Sequence, residues 1–154
     1  MPRSESSSPS FMDLAFEEAC RAAEKGEVPV GAVVVASDGT VLAQAGNRTE
    51  TDADPSAHAE ILALRFAAKK RNSPRLPDCD LYVTLEPCAM CAAAISIARL
   101  RKVVFAAYDP KGGAIEHGPR FFSQPTCHHV PEVVGGVDEE RARALLKTFF
   151  VDKR

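Results

Sequence analysis

The chain has 154 residues, of which 45% are hydrophobic and 26% charged, proportions typical of one soluble globular domain. Nineteen basic residues against 21 acidic ones give a net charge of −2, which excludes a broadly basic nucleic-acid coat. No apolar run approaches the ~20 residues of a membrane span, and the Ser-rich first ten residues do not form a signal peptide. We therefore expect a cytoplasmic protein without a membrane partner, with a flexible tail at 1–10 and a single domain at 11–154.

The first half of the chain predicts a helix, a hairpin and a second helix. Apolar residues at helical spacing indicate a first helix that ends near Gly26. Strands at 30–36 and 41–45 flank a short polar turn, a pattern typical of a β-hairpin. At 54–55 an Asp-Pro pair then supplies a cap and a first-turn proline for a helix that ends near residue 71.

The second half alternates strands and helices. Residues 80–85 predict a strand, Pro87 begins a helix that reaches about residue 100, and 103–107 predict another strand. A loop-rich stretch precedes a short fifth strand at 133–134 and a last helix capped by Asp138. This order predicts an α/β fold in three layers, α/β/α, around a central mixed five-stranded sheet.

The helix after Pro87 is apolar nearly all round, because Ser96 is its one clearly polar residue between Cys88 and Ala98. Such a helix is expected to be buried on every side. In so small a domain a second subunit can cover one of its faces, so the sequence predicts a dimer. Burial by the chain's own loops is the alternative.

Two cysteines and a histidine offer a metal site. Cys88 and Cys91 are three residues apart at a predicted helix start, where free N–H groups and the helix dipole favour thiolates. With His58, at the start of an earlier helix, they provide three zinc ligands and leave a position for water, as in catalytic zinc sites. The second ligand pair of a zinc finger is absent from the sequence. A redox-active dithiol is the alternative.

Glu60 follows His58 by two residues and offers the carboxylate that hydrolysis at zinc requires. Spacing alone does not bring the two side chains together, because residues two apart on an ideal helix point in different directions. A lone His-x-Glu is common by chance. The combined order His-x-Glu … Pro-Cys-x-x-Cys, with each half at a predicted helix start, is much rarer and is the signature of zinc-dependent nucleobase deaminases.

Five segments match a known family in order and nearly in register from about residue 11 to residue 150. They are Glu27-Val28-Pro29-Val30-Gly31-Ala32-Val33, Gly46-Asn47-Arg48, Ala57-His58-Ala59-Glu60-Ile61, Leu81-Tyr82-Val83-Thr84-Leu85-Glu86-Pro87-Cys88-Ala89-Met90-Cys91 and Asp109-Pro110-Lys111-Gly112-Gly113. The sequence thus resembles the bacterial tRNA-specific adenosine deaminases, whose fold is cytidine deaminase-like.

The resemblance implies hydrolytic deamination of adenosine to inosine at the wobble position of the tRNA anticodon. It implies one Zn²⁺ ion per subunit, bound by His58, Cys88 and Cys91. Glu60 is then the proton shuttle, and Asn47 forms a hydrogen bond with the flipped base.

The same resemblance implies the substrate contacts and the partners. Val28 and Leu85 correspond to apolar walls of the base pocket, with core packing as the alternative. Asp109 and Lys111 correspond to contacts with the anticodon loop, with a surface turn as the alternative. The implied partners are a tRNA anticodon stem-loop and a second copy of the chain in a homodimer.

Three other functions remain open from the sequence. A deaminase of free guanine, cytosine or a nucleoside would use the same zinc and Glu60. A dithiol redox protein would use Cys88 and Cys91 and would need neither zinc nor Glu60. A non-catalytic RNA-binding module would keep zinc for stability and release no ammonia.

Overall fold

A computed structural model describes residues 10–152 as four α-helices around one five-stranded sheet. The helices are α1 (Phe11–Glu24), α2 (Ala59–Arg71), α3 (Ala89–Ile97) and α4 (Glu139–Asp152). The strands are β1 (Gly31–Val35), β2 (Val41–Gly46), β3 (Asp80–Leu85), β4 (Lys102–Ala107) and β5 (Glu132–Val134). A short 3₁₀ turn (Phe121–Ser123) lies in the long segment between β4 and β5.

The sheet is mixed, as the sequence predicts, with the strand order β2-β1-β3-β4-β5. β1 runs antiparallel to β2 and β3, whereas β3, β4 and β5 run parallel to one another. β1 therefore begins at the side where β2, β3 and β4 end, and we call this side the upper end of the sheet. At one edge β5 has only three residues, between Pro131 and the pair Gly135-Gly136.

Helices cover both faces of the sheet because strand side chains alternate in direction. Ala32 and Val34 of β1 belong to a core shared with α2 and α3, whereas Val33 and Val35 belong to a second core shared with α1 and α4. The backbone of α1 packs directly on β1, since a Cβ at Gly31 would lie 1.9 Å from the carbonyl oxygen of Ala15. The predicted three-layer α/β/α fold is confirmed.

Two helices begin later than the sequence predicts. α2 begins at Ala59, because the Asp54 carboxylate accepts hydrogen bonds from the N–H and the hydroxyl of Ser56 and closes a local turn instead of capping the helix. His58 becomes the N-cap residue, with extended backbone angles of φ −74° and ψ 151°. In the same way the N-cap of α3 is Cys88. His58 and Cys88, two of the three predicted metal ligands, thus stand just outside their helices.

The helix after Pro87 is not buried on every side within one chain, so the chain's own loops do not cover it completely. Ile95 is fully buried, but Met90 is 37% exposed and Ile97 is 72% exposed. The polar Ser96 faces inward, where its hydroxyl donates to the backbone carbonyl of His129 at 2.7 Å. One apolar side of α3 therefore faces solvent.

Ser10 caps α1 through a reciprocal pair of hydrogen bonds with Asp13. The remainder of the predicted tail lies outside the described residues, and the extent of the domain stays a prediction. Within residues 10–152, none of the helices combines the length and the apolar character that crossing a bilayer requires.

Candidate metal centre and active site

The three predicted metal ligands meet at the upper end of the sheet, beyond the end of β3. The Nδ1 atom of His58 lies 3.6 Å from the Sγ atom of Cys88 and 3.5 Å from the Sγ atom of Cys91. All three potential ligand atoms lie within 4.8 Å of one another. His58 and Cys88 are N-cap residues and Cys91 is in the first turn of α3, so two helix N-termini converge on one point.

These distances fit a zinc ion. Zinc–sulfur and zinc–nitrogen bonds of about 2.3 Å and about 2.0 Å at a tetrahedral angle place sulfur and nitrogen about 3.5 Å apart. The two observed distances match this separation, so Nδ1 is the atom of His58 placed to bind the ion. In the part of the chain that the structure describes, no fourth His, Cys, Asp or Glu joins the group. One coordination position is left for water, as in catalytic zinc sites.

The donor set also favours a cation electrostatically. The pKa of the Cys88 thiol is lowered to about 4, because it is hydrogen-bonded by the Cys91 thiol and by the His58 ring. The bond to Cys88 raises the pKa of His58. The pKa of Cys91 is raised, because its thiol is hydrogen-bonded to Cys88 and buried. A divalent cation among these three atoms would supply the positive charge that allows the second thiol to ionise.

Glu60 lies beside the predicted metal ligands. Its side chain is buried in the first turn of α2, is 4% exposed and contacts the thiol of Cys91. Burial raises the pKa of Glu60 to about 7. His58 stands outside the helix as its N-cap, so the ideal-helix geometry that separates residues two apart does not apply to this pair. The late start of α2 therefore places both side chains at the same site.

Asn47 follows β2 and is bound to the beginning of α2. Its Oδ1 atom accepts a hydrogen bond from the N–H of Ala59 at 2.9 Å, and the N–H of Arg48 donates to the carbonyl of Ala57 at 3.0 Å. Only the oxygen of the amide can accept from a backbone N–H, which fixes its orientation. Among residues 10–152 the Nδ2 group of Asn47 has no hydrogen-bond partner, so it can donate to a ligand.

A cavity of about 500 Å³ collects the other four predicted substrate-binding residues. Val28 precedes β1, Leu85 ends β3, and Asp109 and Lys111 follow β4, so all four come from the upper end of the sheet. Asn47 does not line this cavity but lines a separate pocket beside β2. The structure thus brings residues of three separate segments to one surface.

Three further residues line the cavity that were not predicted as substrate contacts: Tyr108, Leu146 and Phe150. Tyr108 follows β4, and the other two belong to α4. The apolar periodicity of α4 predicts that Leu146 and Phe150 face the rest of the molecule, but Phe150 is 52% exposed. No sequence signal separates a residue that packs in the core from one that packs beside a cavity.

Comparisons with known proteins agree with this geometry. The family model described as the cytidine and deoxycytidylate deaminase zinc-binding region matches residues 5–107. A tRNA-specific adenosine deaminase of Agrobacterium fabrum is 56% identical over 144 residues, which cover 94% of each chain. The corresponding protein of Bacillus subtilis is 45% identical, over 94% of this chain and 89% of its own. The chain belongs to the tRNA-specific adenosine deaminase family.

Solved structures of deaminases have the same fold. A structure from work on A-to-I editing by tRNA:A34 deaminases at the wobble position of transfer RNA has a TM-score of 0.86 and 57% identity. The matched region covers 88% of this chain and 98% of the chain in that structure. A guanine deaminase from Bacillus subtilis has a TM-score of 0.63 and 33% identity, over 93% of this chain and 91% of its own.

Two buried carboxylates of this deaminase hold loops near the site. Neither was predicted as a site residue. Glu27 is 1% exposed, and its carboxylate accepts hydrogen bonds from the N–H and hydroxyl of Thr51, both at 2.6 Å, and from the N–H of Glu50 at 3.3 Å. Burial opposes ionisation, but these bonds outweigh it and lower the pKa of Glu27 below its ordinary value. Glu27 thereby fixes the loop that follows Asn47.

Glu86 is the second buried carboxylate, 2% exposed, and lies between β3 and Cys88. Burial again opposes ionisation, but hydrogen bonds from the N–H of Asp109, from His117 and from other backbone N–H groups lower the pKa of Glu86. Its partners are 23 to 31 residues away along the chain, so no local sequence pattern reveals them.

Proposed function

We propose that this protein hydrolyses adenosine to inosine at the wobble position of the tRNA anticodon and releases ammonia. One observation carries the proposal. A three-ligand zinc-type cluster and a buried carboxylate occupy the same site in a chain that is 56% identical to a tRNA-specific adenosine deaminase. The match to a family model of a zinc-binding deaminase region supports the same reaction class.

In this proposal His58, Cys88 and Cys91 hold one zinc ion per chain. When bound, zinc polarises a water molecule and lowers its pKa towards ~7. Glu60 accepts a proton from the attacking water and delivers it to N1 of the adenine ring. The same carboxyl then carries a proton to the departing amino group, so that ammonia leaves and the water oxygen remains on C6. Burial of Glu60 beside Cys91 keeps the transferred proton away from bulk water.

The other predicted site residues hold the substrate. Nδ2 of Asn47 donates to the base, because its Oδ1 is already bonded to α2. Val28 and Leu85 give the cavity apolar walls, while Asp109 and Lys111 give it a charged rim that contacts the anticodon loop. An adenosine in such a loop is unpaired and costs little to extrude. Because the net charge is −2, we expect few phosphate contacts and a shallow salt dependence of binding.

We also propose a cytoplasmic location and a homodimer. The site uses free thiols, which a reducing compartment preserves. The exposed Ile97 borders an apolar groove between α2 and α3 that also includes Ile61 and Leu64, and a second copy of the chain would bury this surface.

The dimer is tested by Ile97→Glu, which places a charge on the apolar surface and should yield a monomer in sedimentation experiments. The matched control is Val151→Glu, which changes a residue of α4 that is 55% exposed and should leave the dimer intact. A monomeric wild type, or an Ile97→Glu variant that remains dimeric, would contradict the proposed interface.

The reaction is tested with purified protein and a tRNA hairpin that carries adenosine at the wobble position. Inosine is detected by sequencing, bound zinc by elemental analysis, and ammonia release is assayed in parallel with free adenosine, cytosine and guanine. We expect inosine at that one position from the wild type. Glu60→Gln should retain zinc and reduce the rate by about 10²–10⁴-fold. The control Glu24→Gln, at an exposed end of α1, should match the wild type.

Each alternative function predicts a different result in the same experiment. Ammonia from a free base, with an unmodified hairpin, would identify a small-molecule deaminase. No turnover by a zinc-loaded protein that binds tRNA would identify a binding module. Activity that depends on Cys88 and Cys91 but on neither zinc nor Glu60 would identify a redox protein.

A further inference from the structure

We propose that Glu86 is a positioning residue for substrate recognition. Its carboxylate holds residues 109–117, which we call the recognition segment, in the conformation that presents Asp109 and Lys111 to the RNA. This inference rests on the proposed function, because it assigns Glu86 to binding of the anticodon loop. Glu86 would therefore have a different role from the nearby Cys88, which is a proposed metal ligand.

The carboxylate of Glu86 binds both ends of the recognition segment. Oε1 accepts from the N–H of Asp109 at 2.9 Å and lies 2.9 Å from Nδ1 of the His117 ring. Oε2 accepts from three consecutive N–H groups, those of Ile115 at 3.1 Å, Glu116 at 2.8 Å and His117 at 3.2 Å. One side chain therefore closes the segment into a loop with five hydrogen bonds.

The recognition segment is shaped around this carboxylate. A Cβ at Gly113 would lie 2.4 Å from Cδ of Glu86 and 2.6 Å from the carbonyl oxygen of Asp109, so a larger residue would displace one of them. The Asp109 carboxylate itself accepts from the N–H groups of Lys111 and Gly112, which sets the turn that carries the lysine. The absence of a side chain at Gly113 thus permits the close approach of Glu86.

Glu86 also fixes the recognition segment relative to the metal ligands. It is two residues before Cys88, and the carbonyl of the intervening Pro87 accepts from the N–H of Ala114 at 2.9 Å. Among the described residues no lysine or arginine pairs with the Glu86 carboxylate. Its negative charge is instead stabilised mainly by N–H groups from both ends of the segment, so Glu86 is the side chain that joins these two ends.

Glu86→Gln keeps the shape of the side chain but replaces one acceptor oxygen with a donor group. N–H groups of the recognition segment then lose their acceptor, and one end of the segment is released. We expect KM for an anticodon stem-loop to rise about tenfold, while kcat changes less than about threefold and bound zinc is unchanged. A rise in KM alone indicates lost positioning of the RNA, because damage to the metal site would lower kcat.

A double-mutant cycle distinguishes positioning from general destabilisation. Lys111→Ala should also raise KM, and the double variant Glu86→Gln/Lys111→Ala should resemble the single variants, because a displaced Lys111 no longer contributes. The matched control is Glu27→Gln, which alters an equally buried carboxylate that holds a different loop. Its effect on KM should multiply with that of Lys111→Ala.

The proposal is overturned if the effects of Glu86→Gln and Lys111→Ala multiply, or if Glu86→Gln lowers kcat and leaves KM unchanged. If Glu86→Gln does not fold, His117→Ala enters the same cycle, since it removes one bond from a partly exposed ring.

A wild type that does not modify the hairpin would refute the proposed function, and hydrogen exchange then tests the inference separately. Glu86→Gln should accelerate exchange at Asp109, Ile115 and Glu116, and unchanged exchange there would overturn the role of Glu86.

Discussion

Among single residues, Asn47 has two roles that substitution can separate. Its Oδ1 caps α2 by accepting from the N–H of Ala59, and its Nδ2 is the proposed donor to the base. Asn47→Asp keeps an acceptor at the helix N-terminus but lacks the donor. We expect its free energy of unfolding, measured in urea, to lie within about 0.5 kcal/mol of the wild-type value. We also expect it to form inosine at least about tenfold more slowly. Asn47→Ala should lose activity and also about 1 kcal/mol of unfolding free energy.

The two variants give independent checks. Wild-type turnover by Asn47→Asp would show that the amide does not donate to the base. An unchanged unfolding free energy for Asn47→Ala would show that the bond to Ala59 does not stabilise α2.

The cluster of His58, Cys88 and Cys91 was the most predictable part of the site. Both halves of its motif lie at helix starts, where free N–H groups and the helix dipole favour the thiolates that bind zinc. Glu60 could be predicted by type but not by direction. Its orientation depends on where α2 begins, and the turn between Asp54 and Ser56 decides that start. Glu86 could not be predicted, because its partners are backbone groups of a distant loop.

Among the elements, the loop after β2 is held by Glu27, and this contact predicts a pH dependence of stability. The pKa of Glu27 in the folded chain lies below its ordinary value of 4.5, since hydrogen bonds from Thr51 and Glu50 outweigh the effect of burial. A lowered pKa in the folded state means that the ionised group stabilises the fold above about pH 4.5, and that this contribution is lost as the pH falls through the lower folded value.

We therefore expect Glu27→Gln to be about 1–3 kcal/mol less stable than the wild type at pH 7. The difference should shrink at pH values below 4.5, the ordinary pKa of the group. Urea unfolding of both proteins across this range measures it, with Glu24→Gln as an exposed control. A difference that stays constant with pH would contradict the role of the ionised carboxylate.

Strands and helices were predicted correctly in order and type, including the short β5, because apolar periodicity reports which faces are buried. Helix starts were less predictable, since side chains such as Asp54 can satisfy local turns instead. Which side of α3 is open in the single chain was not predictable either. Alanine-rich composition shows that a helix can be buried, but the packing of α2 and the sheet determines which side remains open.

In the whole molecule, a zinc ion bound as proposed would join two segments that lie thirty residues apart, through His58 and Cys88. A ligand that binds only the folded state stabilises it by about 2.7 kcal/mol when the free ligand concentration is a hundred times Kd. Removing zinc with a chelator should therefore lower Tm by about 5–10 °C. Thermal unfolding monitored by circular dichroism, with zinc content measured in parallel, tests this expectation.

Two cysteine variants serve as controls for chelation. Cys91→Ser should melt near the chelated wild type and respond little to the chelator. Cys20→Ser changes an exposed thiol of α1 and should behave as the wild type does. A Tm that is unaffected by zinc removal in the wild type would show that the metal does not stabilise the fold.

The short strand β5 also affects how copies of this chain meet. Pro131 has no N–H to donate, and Gly136 has a φ of 82°, so extended backbone does not continue beyond Val134. This edge offers too few free backbone groups to template another chain. Growth of the sheet by addition of a strand from another copy, the step that would lead to fibrils, is therefore disfavoured on that side.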